Sequence, residues 1–435
     1  MTTNLPNAPL EITPSGPIHG RLAAPASKSV TNRVLVLAAL ADGDSVLRRP
    51  LRSDDSDAMR AAVSAFGAPV RDEPDDGWRV TGTAGRLRTP SQPIDARLSG
   101  TTMRFAAALA TLANDGATVT GLPPLLRRPI GPLVDALSQL GAQLTAPDGF
   151  PPVTAAGGGL TGGAATVQAG KSSQFASAVM MVSPYARSDV TLTVIDPGAI
   201  AYIELTADVM QRWGAAVEQT GASTWVIGAG QGYRAGNIEV EYDASAAAHL
   251  LALAAATGGS VTVTNAAPDT LQPDARVPEL LQRMGAAVLR DGEAITVTGP
   301  SVLKPIEADL GDTPDQVTTL AALAALADGT SVLRGVAVAR GHETDRLAAL
   351  ATELGKLGVQ VDELPDGLVI AGGGRLRPAR LATHDDHRLA MAFAAIAAAV
   401  PGIVIEQPDC VAKTYPAFWS DLAALGVPFA VAEAN

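Results

Sequence analysis

A single cysteine, Cys410, occurs in 435 residues. That excludes an internal disulfide framework and a cysteine-built metal cluster, and it suits a reducing compartment such as the cytoplasm. Charge is scarce at 17 % of residues and aromatics at 4 %. Basic side chains are in the minority, 32 Lys and Arg against 44 Asp and Glu, for a net charge of −12. A surface for nucleic acid or anionic membrane needs basic patches to neutralise phosphates, so neither partner is expected. Long apolar runs are also missing: Ala390 to Ile405, the most apolar stretch, is broken by Pro401-Gly402 and is short for a membrane span. The opening Met1-Thr2-Thr3-Asn4-Leu5-Pro6 has no basic segment followed by an apolar core, and no secretory leader is expected. Neither a full Gly-x-x-x-x-Gly-Lys-Ser/Thr phosphate loop, since Ala165 stands where Gly170-Lys171-Ser172 would need its first glycine, nor a Gly-x-Gly-x-x-Gly between strand and helix is present, which removes the usual marks of a nucleotide site. The expectation is a soluble cytoplasmic protein.

What the chain does have is alanine, valine, leucine and glycine, placed with a long period. A large apolar residue followed by glycine closes an Ala/Leu-rich stretch six times, at Phe66-Gly67, Leu140-Gly141, Trp213-Gly214, Met284-Gly285, Leu357-Gly358 and Leu425-Gly426, at intervals of 68 to 74 residues. Glycine just past an amphipathic run is the common left-handed helix stop, so the pattern predicts one supersecondary repeat used six times. The fifth copy is the easiest to read. Val317 to Ala327 is an Ala/Leu run stopped by Asp328-Gly329, Ser331 to Leu333 a strand, Asp345 to Leu357 a second amphipathic helix, and Val359 to Val361 another strand. A chain of this length exceeds one ordinary core, and six repeats divide as three and three. The expected class is α/β (α+β), with domains at 24–240 and at 1–23 with 241–435 and a boundary near Ile238 to Asp243. The N-terminal strand is expected to pair with the second half.

Six polar segments precede the Ala-rich first helices: Ser27-Lys28-Ser29, Ser99-Gly100-Thr101-Thr102, Lys171-Ser172-Ser173-Gln174, Asp243-Ala244-Ser245, Thr313-Pro314-Asp315-Gln316, and Thr383 to Arg388. Ser, Thr and Asp there are ordinary N-caps. Capping does not explain Lys28, Arg33, Arg104 and Arg388, read as first-turn cations that oppose the positive end of the helix dipole. Cations placed against that preference imply an anion between them. Further basic residues sit ahead of the second helices, at Arg127-Arg128, His342 to Arg346, and Lys413. In so weakly charged a chain the expected ligand is small and multiply anionic.

Asp315, Glu343 and His342 are the candidate proton handlers, with plain capping of Asp315 and solvation of Glu343 the structural alternatives. His249, inside an Ala/Leu helix, reads as core. His384-Asp385-Asp386-His387 is a poor metal site because adjacent side chains diverge, and no metal is expected. Cys410 beside an apolar strand is as compatible with burial as with reactivity.

These segments resemble the EPSP synthase (3-phosphoshikimate 1-carboxyvinyltransferase) family along nearly the whole chain. The resemblance rests on Pro25 to Arg33, Ser99-Gly100-Thr101-Thr102-Met103-Arg104, Arg128-Pro129-Ile130-Gly131, Ser172-Ser173-Gln174-Phe175, Glu343-Thr344-Asp345-Arg346-Leu347, Asp386-His387-Arg388-Leu389-Ala390-Met391 and Ala412-Lys413-Thr414-Tyr415-Pro416. It implies two inside-out α/β barrels, each of three βαβαββ units, with an interdomain active-site cleft. It implies transfer of the enolpyruvyl group of phosphoenolpyruvate to the 5-hydroxyl of shikimate 3-phosphate, with no cofactor and no metal, in a protein expected to be a monomer. Lys28 would touch both substrates. Ser29, Arg33, Ser172, Ser173, Gln174, Tyr202, Asp315 and His342 would hold shikimate 3-phosphate. Gly100, Arg104, Arg128, Gln174, Arg346, Arg388 and Lys413 would hold phosphoenolpyruvate. Asp315 matches the acceptor of the hydroxyl proton and Glu343 the donor to the methylene carbon, with Lys28 and His342 beside them.

The chain departs from the family pattern at Leu98, Ala199 and Val338, where a side-chain donor is common, at His342, where lysine is usual, and at Phe105, where proline is common. The lost donors bear on the shikimate side. Two other readings remain: an enolpyruvyl transferase acting on a UDP-sugar, which would place a reactive cysteine where this chain has Leu125-Leu126-Arg127, and an anion-binding homologue without turnover. Gly100 leaves the space an alanine would fill, so inhibition by glyphosate is expected.

Overall fold

The structure is a computed structural model that describes residues 8–196 and 198–433. The reading of Met1 to Pro6 lies outside the described residues. Two compact units divide the chain, one of Ala26–Val240 and one of Met1–Pro25 with Glu241–Asn435. Among the described residues, each contains three four-stranded sheets.

The fifth repeat shows the common plan. Strand Glu307–Asp309 leads through the helix Val317–Leu326 to a parallel neighbour, Thr330–Arg334, with Ala308 opposite Leu333. The helix Arg346–Lys356 follows, and the hairpin of Gln360–Leu364 and Gly367–Ala371 closes the sheet, with Gly367–Ala371 antiparallel to Thr330–Arg334. The order is βαβαββ. The first helix of each repeat is buried nearly all round. In Ala244–Thr257 every residue from Ala244 to Ala255 is buried, and in His387–Ala399 every residue from His387 to Ala398. That is why these segments read as apolar without a polar face. Their alanines let Ala244–Thr257, Val317–Leu326 and His387–Ala399 pack directly on one another. The second helices are amphipathic and one-sided.

All six apolar-glycine stops are Schellman caps. Gly67, Gly141, Gly214, Gly285, Gly358 and Gly426 have φ between 84° and 100°. In the last, Gly426 N–H donates to the Ala423 carbonyl at 2.9 Å and Val427 N–H to the Leu422 carbonyl at 3.2 Å, which satisfies two of the carbonyls a helix end leaves open. The other five repeat that pair of bonds.

Three of the sheets borrow a strand from far along the chain. Asn237–Glu239 lies parallel to Asp44–Arg48 and completes the first repeat, and His19–Leu22 lies parallel to Ser260–Val263 and completes the fourth. Leu10–Ile12 sits between Ile403–Ile405 and Phe429–Val431, antiparallel to both, and completes the sixth. The N-terminal strands thus pair with the second half, as expected.

Helix starts differ from the sequence reading in one respect. Lys28 and Gly100 already belong to their helices, Lys28–Leu40 and Gly100–Leu112, so Arg33 and Arg104 lie in the second turn rather than the first. The cause is that Ser27 and Ser99 are the caps, accepting from Val30 N–H and Thr102 N–H. Arg388, second residue of its helix, is a first-turn cation.

Candidate functional site

Within the unit that contains Glu241–Asn435, Arg346 is the hub. Its guanidinium is 1 % exposed and meets three carboxylates: Nε donates to Asp386 at 2.7 Å, Nη1 to Asp315 at 2.5 Å and Nη2 to Glu343 at 2.9 Å. A planar fork of five N–H groups suits such sharing, and a lysine could not do it. Arg388 Nη2 lies 2.9 Å from the second oxygen of Asp315, and Lys413 Nζ lies 3.5 Å from Glu343. Asp386 caps the helix that bears Arg388 by accepting from its backbone N–H at 2.9 Å. The preceding His384 and Asp385 both have left-handed backbone, with φ of 52° and 57°. They bend the chain so that Asp386 faces Arg346.

Burial opposes the charge on Asp315, yet Arg388, Arg346 and His342 overcome it and hold the carboxyl well below its ordinary range. His342 Nδ1 lies 3.2 Å from Asp315 and 3.0 Å from Arg346 Nη1. Burial pushes the imidazole below its usual value, against the pull of Asp315. Burial thus favours the neutral imidazole. With a proton on Nδ1 it donates to Asp315, and with the lone pair there it accepts from Arg346. Asp315 is not an N-cap: it lies in the 3-10 turn Pro314–Gln316, and its oxygens face cations.

In the unit Ala26–Val240 the expected residues fall into three groups. Gly100, Arg104, Arg128 and Gln174 come together: Arg104 Nη1 donates to Gln174 at 2.6 Å and stacks on Phe175 at 5.1 Å, and a Cβ on Gly100 would lie 2.9 Å from Arg128 and 3.0 Å from Arg104. Lys28 opens its helix 3.4 Å from Asp55. Arg33 is buried, with Nε on Thr206 at 2.8 Å, Nη1 on the Ser29 carbonyl at 2.9 Å, and Nη2 on Ser177 and the Tyr202 carbonyl, both at 3.2 Å. Burial pushes Arg33 down to about 10, which leaves it a cation at neutral pH. Ser172 accepts from Gln174 N–H at 3.3 Å, whereas Ser173, at the start of the same helix, makes no capping bond. Ala199 is buried, and Val338 is half-buried in the 3-10 segment Ala337–Gly341.

Several partners were not legible in the sequence. In the sequence Asp386 is one acidic residue of a polar segment, and its role as the deepest ligand of Arg346 depends on the left-handed pair before it. Asp55, Ser177 and Thr206 carry no motif at all, because each matters only through the cation it meets from another helix. His249 is core, as read: it is 1 % exposed and 3.2 Å from Thr319. Burial pushes the Cys410 thiol up to about 12, so it is a poor nucleophile. Among the described residues, no group of three or more His, Cys, Asp or Glu is arranged to hold a metal, and no helix is long and apolar enough to cross a membrane.

Comparison with known sequences matches residues 12–422 to the EPSP synthase (3-phosphoshikimate 1-carboxyvinyltransferase) family. The chain belongs to that family. It is 42 % identical to the 3-phosphoshikimate 1-carboxyvinyltransferase of Syntrophobacter fumaroxidans, over 94 % of this chain and 97 % of that one. It is 38 % identical to the enzyme of that name from Methanoculleus marisnigri, over 96 % and 99 %. EPSP synthase from Acinetobacter baumannii superposes with a TM-score of 0.83 at 26 % identity, covering 98 % of this chain and all of that one. The enolpyruvyl transferase NikO from Streptomyces tendae shares the fold, with a TM-score of 0.80 at 20 % identity over 99 % of this chain and all of that one. The mixed α/β architecture is thus that of EPSP synthases; Arg346, Glu343, Asp386, Arg388, Lys413 and the Arg104 cluster lie on the segments that carry the resemblance, whereas Asp315 and His342 lie outside them.

Proposed function

We propose that the protein transfers the enolpyruvyl group of phosphoenolpyruvate to the 5-hydroxyl of shikimate 3-phosphate and releases inorganic phosphate, as a 3-phosphoshikimate 1-carboxyvinyltransferase of the shikimate pathway. The two units are each an inside-out barrel of three βαβαββ repeats, and both contribute to one reaction in a cytoplasmic enzyme. Membership of the family supports this reading. The observation that carries it is Asp315, held as a carboxylate by Arg346 at 2.5 Å and Arg388 at 2.9 Å.

While both cations lie on Asp315 it is a weak base. A substrate carboxylate or phosphate that engages Arg346 and Arg388 draws them off, and Asp315 regains proton affinity once the anion is bound. The hydroxyl proton then passes to Asp315 as its oxygen bonds to C2 of phosphoenolpyruvate, and Glu343, which takes up a proton from water once the bound anion draws Arg346 and Lys413 from it, gives that proton to C3. Glu343, now a carboxylate, takes a proton back from C3 as the bond from C2 to the phosphate oxygen breaks, and Asp315 gives up its proton to the departing phosphate or to water. Arg128, Arg346, Arg388 and Lys413 stabilise the departing phosphate. On the shikimate side, Lys28, Ser29, Arg33, Ser172, Ser173, Gln174, Tyr202 and His342 hold the acceptor. Arg104 and Gly100 shape the phosphoenolpyruvate side, where glyphosate competes.

The test is phosphate release by the purified protein. Release is expected only when both substrates are present, and Asp315→Asn should lower kcat by about 100-fold or more. Phosphate from phosphoenolpyruvate alone, or full activity in Asp315→Asn, contradicts the assignment.

A further inference from the structure

Behind Asp315 runs a buried polar chain that the reaction above does not use. Asp274, in the 3-10 turn Pro273–Arg276, is 1 % exposed. Its Oδ2 accepts from Ser245 Oγ and from Gln316 Nε2, the latter at 2.8 Å. Gln316 is fully buried, and its Oε1 accepts from Thr319 Oγ1 at 2.9 Å. The chain thus joins the helices Ala244–Thr257 and Val317–Leu326 to the turn that bears Asp315. Gln316 and Asp315 are neighbours in that 3-10 turn, one directed into the core and the other to Arg346 and Arg388. A buried amide that lost its acceptor would leave Nε2 unsatisfied, at a cost comparable to a whole hydrogen bond, and the turn would move to recover one.

We propose that Asp274 is a positioning residue for Asp315, acting through Gln316, so that the sidechain amide anchors the Pro314–Gln316 turn and thereby the carboxylate that accepts the hydroxyl proton. The inference rests on the proposed reaction. Neither Asp274 nor Gln316 approaches substrate in this account. Asp274 holds Gln316, and Gln316 fixes the backbone of its neighbour. Burial pushes the Asp274 carboxyl up to about 6, and its Oδ1 has no partner among the described residues. The bonds to Ser245 and Gln316 need only an acceptor at Oδ2, which an amide oxygen also supplies.

The test compares Asp274→Ala, Gln316→Leu, their double variant and Asp274→Asn. A misplacement of about 1 Å at the reacting groups costs on the order of 100-fold. Asp274→Ala and Gln316→Leu should therefore each lower kcat about 10- to 100-fold, with KM for either substrate changed less than about threefold. The double variant should be no slower than the slower single one, since both cut the same link. Asp274→Asn should retain most of kcat. A second readout needs no turnover: in protein labelled with carbon-13 aspartate, the carboxyl signal lost in Asp315→Asn should shift in Asp274→Ala and in Gln316→Leu but stay in place in Asp274→Asn. Multiplicative losses in the double variant, or an Asp315 signal unmoved in Asp274→Ala, overturn the proposal. A wild-type protein that releases no phosphate overturns the reaction instead, and the carboxyl signal still decides the positioning.

Discussion

At the scale of single residues, Arg346 carries the most weight, because three carboxylates depend on one buried guanidinium. Arg346→Met leaves Asp315, Asp386 and Glu343 without their common partner, and breaking a buried ion pair from one side costs about 3–5 kcal/mol. The expected outcome is a lower denaturant midpoint together with loss of turnover; a variant of unchanged stability would show that the carboxylates find other partners. Gly100→Ala is a milder change. The new Cβ would press on the ends of Arg128 and Arg104, at 2.9 and 3.0 Å, and flexible side chains can yield. We expect KM for phosphoenolpyruvate to rise by about tenfold or less, with a larger rise in the glyphosate inhibition constant, read from competitive inhibition kinetics. Insensitivity of the unchanged protein to glyphosate would contradict the placement of Gly100. His249 supplies a pH signature. Burial first, then the charges of Arg388 and Arg346, push its pKa well below the usual value. The unfolded chain therefore takes up the proton first, and stability falls as the pH drops below about 6.5, by about 1.4 kcal/mol per unit for this group. His249→Leu should flatten that acid slope in urea denaturation. Asp274 contributes with the opposite sign between about 6 and about 4, because its acid is raised in the folded state.

At the scale of elements, the six glycine caps separate backbone strain from crowding. Gly426 has φ of 84° and open space where a Cβ would stand, whereas a Cβ on Gly141, at φ of 90°, would run into Thr161. Gly426→Ala should cost about 1 kcal/mol from the left-handed conformation alone, and Gly141→Ala about 2–3 kcal/mol. Equal losses in urea denaturation would contradict that division. The same elements show what was legible in the sequence. Each cap follows from a local rule, so all six could be read without tertiary information. Lys28, Arg33, Arg104 and Arg388 stand out because cations read at helix starts break a local rule. Gln316, Asp274 and Asp55 break none: a glutamine or aspartate in a turn or first helical turn is unremarkable until a distant helix is placed against it. The positions of Arg33 and Arg104 were read one turn early because the serine caps lie further back than the apolar pattern suggests.

At the scale of the whole molecule, the borrowed strands determine which pieces of chain are self-sufficient. All strands of the first three sheets lie within 26–240, including Asn237–Glu239, whereas two of the other three sheets need an N-terminal strand as well as strands from 241–435. A polypeptide of residues 26–240 is expected to fold cooperatively by itself, judged by circular dichroism and a single urea transition. Removal of residues 1–14 takes away Leu10–Ile12 from between its two neighbours and should lower the stability of the other unit. The borrowed strands were only partly visible in the sequence, since a three-residue strand carries no mark of its partner. The proposed reaction requires proton transfer to and from C3 of phosphoenolpyruvate. Its most direct measurement is the reaction of both substrates in heavy water, followed by proton and phosphorus NMR. The account predicts one phosphate per enolpyruvyl ether formed, with deuterium in the vinyl group of the product. Pyruvate in place of the ether, or a vinyl group free of deuterium after full conversion, would contradict it.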